Sequence, residues 1–247
     1  MSAAVVGDEG LRRTFAWMAS YVLVPGAGGD DRYWRRLVPA LRERGHDAIA
    51  VALPAADDSA GWSEYADAIV DAIDDRPEPV LVAQSLGGFS APLACERKPV
   101  TQIVLLNAMI PKPGETGEAW WSNTGQREAQ LEYLSTIGVT PEEASDDKVL
   151  YFHDVPPDVV AEAERRGEPG QSWTPMTQRW PLASWPATPT RVLVGRDDRL
   201  FPEEFQRRVA RERLGIEAET IPGGHLVALA DPEGLADRLI RTAPSRP

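Results

Sequence analysis

Residues 79–92 read PVLVAQSLGGFSAP, and the fold turns on their interpretation. Pro79 to Ala83 is a short apolar run with the length of a buried parallel strand. Gln84, Ser85 and Leu86 follow, then Gly87 and Gly88, and the pattern becomes helical. A serine between strand and helix, with small residues two positions to either side, is the arrangement of a nucleophile elbow. The expected reason is steric: so tight a turn presses its flanking positions together, and here they are Ala83 and Gly87. Alanine adds one methyl to the usual first glycine and is read as a tolerated variant. The alternative is an ordinary β-to-α turn in which Ser85 caps a helix, so partners elsewhere in the chain must decide.

The same rhythm extends to both sides. Tyr21–Val24 is a strand that runs into Pro25, Gly26, Ala27, Gly28 and Gly29. Neither G-x-x-x-x-G-K-[ST] nor G-x-G-x-x-G is present, so this loop is read as the source of an oxyanion donor and not as a phosphate cradle. Tyr33, Trp34, Leu37, Val38 and Leu41 recur at helical spacing up to Gly45, with Pro39 marking a late start or a kink. Ala48–Val51 is the second strand, and His46 before it reads as a surface or strand-edge histidine. After a polar loop over 53–61, Trp62, Tyr65, Ile69, Val70 and Ile73 mark one helix face. A helix from the elbow to about Arg97 contains an awkward Pro92, and Ile103–Leu106 is the fourth strand, ending at Asn107.

The rhythm then breaks. Prolines, acidic residues and tryptophans mix with short helical patterns such as Val159–Arg166, and five of the eight tryptophans fall here: Trp120, Trp121, Trp173, Trp180 and Trp185. This stretch reads as a lid inserted over the carboxyl ends of the sheet, where ligands of open α/β sheets bind. Most of the indoles are expected to glue the lid to the core. Trp120, Trp121 and Trp180 are carried as candidate pocket residues. His153, for which structural or surface placement is favoured over substrate contact, is carried with them. Arg191–Val194 restores the α/β pattern and leads into Gly195, Arg196, Asp197 and Asp198. Pro202 suits a first helical position, Phe205, Val209 and Leu214 face inward, and Gly215 ends that helix. Ala218–Ile221 is the last strand, followed by Gly223, Gly224 and His225, and Asp231-Pro232 opens the closing helix. Strands alternating with helices imply a mostly parallel, doubly wound α/β sheet. The expected organisation is a loose extension over 1–17, a core domain of 18–109 and 186–247, and a lid over 110–185. A start at Met18 is as compatible with the sequence as one at Met1.

With 38 acidic and 26 basic residues the net charge is −12, which argues against a nucleic-acid partner or an anionic membrane surface. It also disfavours a strongly anionic substrate. Cys95 is the only cysteine, so no intrachain disulfide and no cysteine-rich metal site is expected, and a reducing, cytoplasmic compartment fits. Asp8, Glu9, Arg12 and Arg13 interrupt any signal-peptide apolar region, and no run approaches a membrane span. No metal-ligand cluster and no cofactor motif is visible; a small-molecule substrate is the expected partner.

A serine hydroxyl needs an adjacent base, and the base needs a third group to hold its tautomer. Ser85, then the Asp197/Asp198 pair, then His225 follow the order nucleophile, acid, histidine, and each falls just beyond a predicted strand. Those agreeing placements outweigh the helix-cap reading of Ser85. The chain resembles an α/β-hydrolase, and within that superfamily the plant methylesterase and hydroxynitrile lyase group with its bacterial relatives. The matching pieces are YVLVPGAGG, AQSLGGFSAPLA with the later VLLNAMIPKPGE, DRLFPEEFQ, and GGHLVALADPEGLA; residues 118–176 match only loosely. In that group the acid stands four residues before the proline of a D-x-x-x-P-E-E-F-like segment. The resemblance therefore implies Asp198 as the acid, with Asp197 its solvated neighbour. It also implies the backbone N–H groups of Ala27 and Leu86 as oxyanion donors. Two departures matter. The group usually opens its first loop with His-Gly, where this chain has Pro25-Gly26. Its lyases carry a lysine directly after the catalytic histidine and a threonine in the first loop, where this chain has Leu226 and Ala27. The resemblance thus implies a serine esterase acting on a small to medium, largely neutral ester. The rivals are the same triad working on a lactone, thioester or carbonyl compound, and a small-molecule receptor with residual hydrolase activity.

Overall fold

Six strands build one sheet: β1 (Ser20–Val24), β2 (Asp47–Ala50), β3 (Pro79–Gln84), β4 (Gln102–Leu106), β5 (Thr190–Gly195) and β6 (Glu219–Ile221). The computed structural model describes residues 18–167 and 169–241, so the expected extension over 1–17 lies outside the described residues. Strand order is β2-β1-β3-β4-β5-β6, and every neighbouring pair is parallel. Parallel pairing requires crossovers, and these supply helices for both faces. On one face Val22, Leu81, Ala83, Ile103, Leu105 and Val192 pack with Trp62, Tyr65, Ile69 and Phe89. On the other, Tyr21, Leu23, Val80, Val82, Val104 and Leu106 pack with Trp34, Leu37, Leu41, Leu235 and Leu239. Burial on both faces is why these strands read as continuous apolar runs and not as alternating ones.

The helices before the break are α1 (Leu37–Glu43), α2 (Trp62–Ile73) and α3 (Gly87–Ala94). Of the two expectations at Pro39, a late start and a kink, the structure has the late start: Asp31–Trp34 is a 3-10 turn capped by the Asp30 carboxylate, and α1 begins only at Leu37. Pro39 occupies its third position, where a missing N–H costs no intrahelical bond. The elbow helix ends at Ala94 and not near Arg97. Pro92 cannot donate to the carbonyl four residues back, and the Cys95 N–H turns to Pro92 in a tighter closure. His46 sits at the start of β2, where its Nδ1 accepts from the Ala19 N–H at 3.3 Å. That is the edge opposite to the one bearing Ser85.

Between β4 and β5 the chain makes α4 (Gly117–Thr124), α5 (Gln126–Thr136), α6 (Asp147–Leu150), α7 (Pro157–Arg166) and α8 (Thr174–Thr177). Its two ends are strapped together: Thr116 and Arg179 form an antiparallel bridge, the Trp180 N–H donates to Glu115 at 2.8 Å, and the Gly114 N–H donates to Trp180 at 3.1 Å. A buried ion pair between Glu115 and Arg213 ties that neck to α9 (Glu203–Leu214). The chain closes with α10 (Val227–Ala230) and α11 (Pro232–Arg241). Register aligns Val24 with Ala83 and Gln84 with Leu106, so the residues just past β1, β3 and β4 come out side by side on one sheet edge.

Candidate active site

Ser85 begins the turn from β3 into α3 and takes a left-handed backbone, φ +51°, a strained state for a residue with a side chain. The turn is held from outside. The Ser85 N–H donates to Leu106 at 3.3 Å, and the Ser85 carbonyl accepts from Gly88 at 3.1 Å and Met109 at 2.9 Å. Residue 87 must be small, but the neighbour responsible is not residue 83. A Cβ on Gly87 would stand 2.8 Å from the Pro25 carbonyl oxygen and 3.0 Å from that of Val24, so the end of β1 is what forbids a side chain. The glycine-rich loop crosses next to the serine: a Cβ at Gly26 would come within 2.8 Å of the Ser85 Cβ. Among the described residues, the N–H groups of Ala27 and Leu86 donate to nothing. The next donor along, Gly28, is taken by Gln171 Oε1 at 2.8 Å, and Gln171 Nε2 in turn donates to the Tyr65 hydroxyl and the Ser172 carbonyl.

The turn after β5 buries Asp198 completely, at 0% exposure, and orients it with four donors. Its Oδ1 accepts from the Leu200 and Phe201 N–H groups, both at 2.9 Å, and its Oδ2 meets His225 Nδ1 at 2.8 Å and Gln206 Nε2 at 3.4 Å. His225 is 3% exposed. Asp197 points elsewhere: its Oδ2 accepts from the Gly223 N–H at 3.3 Å and from Arg196 at 3.4 Å. An acceptor-only carboxylate at Nδ1 requires that nitrogen to carry the proton, which leaves Nε2 as the acceptor. The His225 backbone is drawn back over the middle of the sheet by two side chains. Asn107 donates to the carbonyls of Gly224 (3.0 Å) and His225 (3.4 Å) while its Oδ1 accepts from Gly195 at 2.6 Å; Gln84 reaches the His225 carbonyl at 3.5 Å. Asn107 is also left-handed, φ +46°. Its only sequence signal was its place just past a buried strand, and its bridging role was not anticipated.

The His225 ring packs on the edge of Phe201, centroids 5.2 Å apart, and beside Tyr151 at 5.8 Å. Burial pushes the Tyr151 phenol up to about 12, with Asp147 and Asp198 adding to the effect, so it stays protonated. A cavity of about 920 Å³ opens along Pro25, Gly26, Ala27 and Gln84, with Tyr33, Phe152, Leu226 and Leu229 as apolar wall. Ser85 and His225 adjoin its lining through their chain neighbours Gln84 and Leu226, and eight charged residues also line it, among them Arg32 paired with Asp30 at 2.7 Å and Lys148 with Glu164 at 2.6 Å.

The expected tryptophan roof is not what lines this cavity. Trp120 (0% exposed) packs among Trp121, Phe201 and Phe205 with its Nε1 donating to Ile110, and Trp180 (1% exposed) stacks on Trp185 and donates to Phe89. Neither presents a face to a ligand, so both are corrected to packing residues. Trp121 lines a separate cavity of about 400 Å³ with Leu134, Leu150 and Leu200, and Trp173 is 58% exposed. His153 is half-buried and lies against Gly224, not in the large cavity. Burial holds its imidazole below the ordinary range, against the opposing charge of Asp154. Among the described residues, no group of three or more His, Cys, Asp or Glu side chains is placed to hold a metal ion, and no helix is long and apolar enough to cross a membrane.

With a parallel sheet of this order, a strained serine beyond β3 and a buried acid–histidine pair beyond β5 and β6, the class follows. Residues 21–238 match the alpha/beta hydrolase family, and the chain belongs to it. Among curated proteins it is similar to the probable esterase PIR7A of Oryza sativa subsp. indica, 28% identical over 252 residues that span 90% of this chain and 96% of the relative. Among solved structures it is similar to polyneuridine aldehyde esterase, with a TM-score of 0.75, 20% identity, and 92% and 100% of the two chains covered. The methylesterase MES16 from Arabidopsis gives a TM-score of 0.68 at 17% identity, covering 91% of this chain and 98% of its own.

Proposed function

We propose that this hydrolase cleaves carboxylic esters through an acyl-enzyme on Ser85, with His225 as general base and acid, Asp198 as its orienting partner, and the Ala27 and Leu86 N–H groups as oxyanion donors. The observation that carries the reading is the buried 2.8 Å contact between Asp198 and His225 Nδ1, on the same sheet edge as a serine held at φ +51°. His225 Nε2 takes the proton of the Ser85 hydroxyl as Oγ attacks the ester carbonyl. The negative charge passes to the carbonyl oxygen, where two backbone donors receive it, each worth about 3 kcal/mol of transition-state stabilisation. Collapse breaks the ester C–O bond, and His225 returns its proton to the departing alcohol. Water then adds to the acyl-enzyme, again giving its proton to His225, and collapse frees the acid and restores the Ser85 hydroxyl. Asp198 stabilises the imidazolium in both halves without taking a proton.

A small to medium, largely neutral ester is the substrate class best supported. A volume of about 920 Å³ falls within the range of small-molecule pockets, part of its wall is apolar, and the four basic residues that line it (Arg32, Arg35, Lys148 and Arg166) are balanced by four acidic ones (Asp30, Asp146, Asp147 and Glu164). Leu226, where the similar lyases carry lysine, belongs to that apolar wall, which supports hydrolysis over cyanide chemistry. The names of the relatives, a probable esterase and a methylesterase among them, point the same way. The test is a panel of esters in which acyl and alcohol parts vary independently, with Ser85→Ala as control. Repeated turnover, rising from acetate to medium-chain or aromatic acyl groups at about 0.8 kcal/mol per buried methylene, is the expected outcome. A single acylation without turnover would favour a receptor, and a profile falling steeply with acyl length would exclude the large cavity as the acyl site.

A further inference from the structure

We propose that Asp154 is a positioning residue for His225, supplied by the segment between β4 and β5. The proposal rests on the acyl-transfer reading above. Gly223, Gly224 and His225 form the turn that presents the imidazole, and its polar backbone groups are held from several sides. The Gly223 N–H donates to Asp197 Oδ2 and the Gly223 carbonyl accepts from the Asp197 N–H at 3.1 Å, so the acid loop grips one end. Asn107 and Gln84 hold the carbonyls of Gly224 and His225 from the sheet side. The Gly224 N–H, adjacent to the histidine, is held by neither; it donates to Asp154 Oδ2 at 2.6 Å, across 70 residues of chain.

The fit at this point is close. A Cβ at residue 224 would stand 2.7 Å from His153 Nε2 and 3.1 and 3.2 Å from the two Asp154 carboxylate oxygens. A side chain at 224 would have to push these two side-chain ends away. Asp154 Oδ1 and His153 Nε2 are both buried without a hydrogen-bond partner. A carboxylate withdrawn from water with one oxygen unused is a poor source of stability. What it supplies is a strong, charge-assisted hold on one peptide. That peptide sets where the His225 ring begins, and a misplacement of about 1 Å at such a point can cost about a hundredfold in rate.

The experiment compares wild type, Asp154→Ala and Asp154→Asn in kcat and KM on a neutral activated ester, in the rate of Ser85 labelling by a fluorophosphonate, and in melting temperature. Wild type must turn over and label at Ser85; if it does neither, the acyl-transfer reading fails and this proposal with it. Given that, Asp154→Ala should lower kcat about tenfold to a hundredfold with KM nearly unchanged, and slow labelling in parallel. Asp154→Asn keeps an oxygen that can accept from the Gly224 N–H and should recover most of kcat. Wild-type kcat in both variants would overturn the proposal while leaving acyl transfer intact. So would an equal loss in both that follows a fall in melting temperature, because that is the signature of a merely structural residue. Should the alanine variant not fold, Gly224→Ala, which forces His153 and Asp154 away, must lower kcat without raising KM; an unchanged kcat there would also overturn it.

Discussion

The turns at the carboxyl ends of β3, β5 and β6 and the segment between β4 and β5 meet at one site but are held by different forces. The turns rest on a buried polar network: Asn107 holds backbone groups at the ends of β5 and β6, and Asp198 and Gln206 hold those of the turn that follows β5, so short side chains fix main chain to main chain. The segment is held by aromatic packing and by indoles that donate to Ile110, Phe89 and Thr190. Side-chain acceptors carry it into the site, Asp154 on the histidine turn and Gln171 on the glycine-rich loop. The difference teaches that the reacting groups are placed by backbone, whereas the inserted segment acts on them through single side chains. Damage to the turns should then abolish chemistry, and damage to the segment should tune it.

The largest effect belongs to the turns. Ser85→Ala and His225→Ala should each lower kcat by about a millionfold on any ester that wild type hydrolyses, since triad members act as a unit. Steady-state assays with contamination excluded would show it. Asp198→Asn should cost about ten-thousandfold, because an amide can favour the wrong imidazole tautomer, whereas Asp197→Asn, whose carboxylate faces Gly223, should stay within about threefold of wild type. Equal losses in the two would break the distinction between the buried and the outward aspartate.

Next comes the neck of the segment. Glu115 is buried against Arg213, with contacts of 2.5 and 3.0 Å. Burial alone would raise its carboxyl, but the Arg213 hydrogen bonds, that of Asn123 and the Arg213 charge outweigh burial and hold it below the ordinary range. Glu115→Gln leaves a buried guanidinium unpaired and should cost about 3 kcal/mol or more in urea unfolding at pH 7. A depressed folded value means that the wild-type advantage is full above the ordinary glutamate range. It is lost as pH falls through the lowered value, so the gap between the two proteins should narrow below about pH 4. Smallest is Gln171→Ala. It removes the hydrogen bond to the Gly28 N–H together with those to the Tyr65 hydroxyl and the Ser172 carbonyl, each worth about 1 kcal/mol, and should reduce kcat by about fivefold while lowering the melting temperature by only a few degrees. A loss as deep as that of Asp198→Asn would erase the contrast between placing and tuning.

Much of the core was legible because its physics is local. A parallel strand buried on both faces must be apolar throughout, and the turn that leaves it must be small or strained, so Val80–Ala83 followed by Ser85 and Gly87 carries both signals. Local patterns did not separate Asp197 from Asp198. What separates them in the structure is the pair of N–H groups at Leu200 and Phe201 that turns one carboxylate inward. The indoles were not legible, because a tryptophan that packs and one that lines a pocket need the same large apolar surface. Trp120 and Trp180 differ from pocket residues only in where the rest of the chain closes over them. Asp154 and Gln171 were invisible for another reason: they meet glycines 70 and 143 residues away, and no periodicity spans such distances.

The central claim is that Ser85 is the acylated group and that Asp198, through His225, activates it. It is tested most directly by treating the protein with a fluorophosphonate, mapping the adduct by peptide mass spectrometry, and following residual esterase activity. One phosphonyl group on Ser85, activity falling in proportion to its occupancy, and labelling slowed far more by Asp198→Asn than by Asp197→Asn are the results the account predicts. Activity that survives full modification of Ser85, or that disappears with the adduct on another residue, would contradict it.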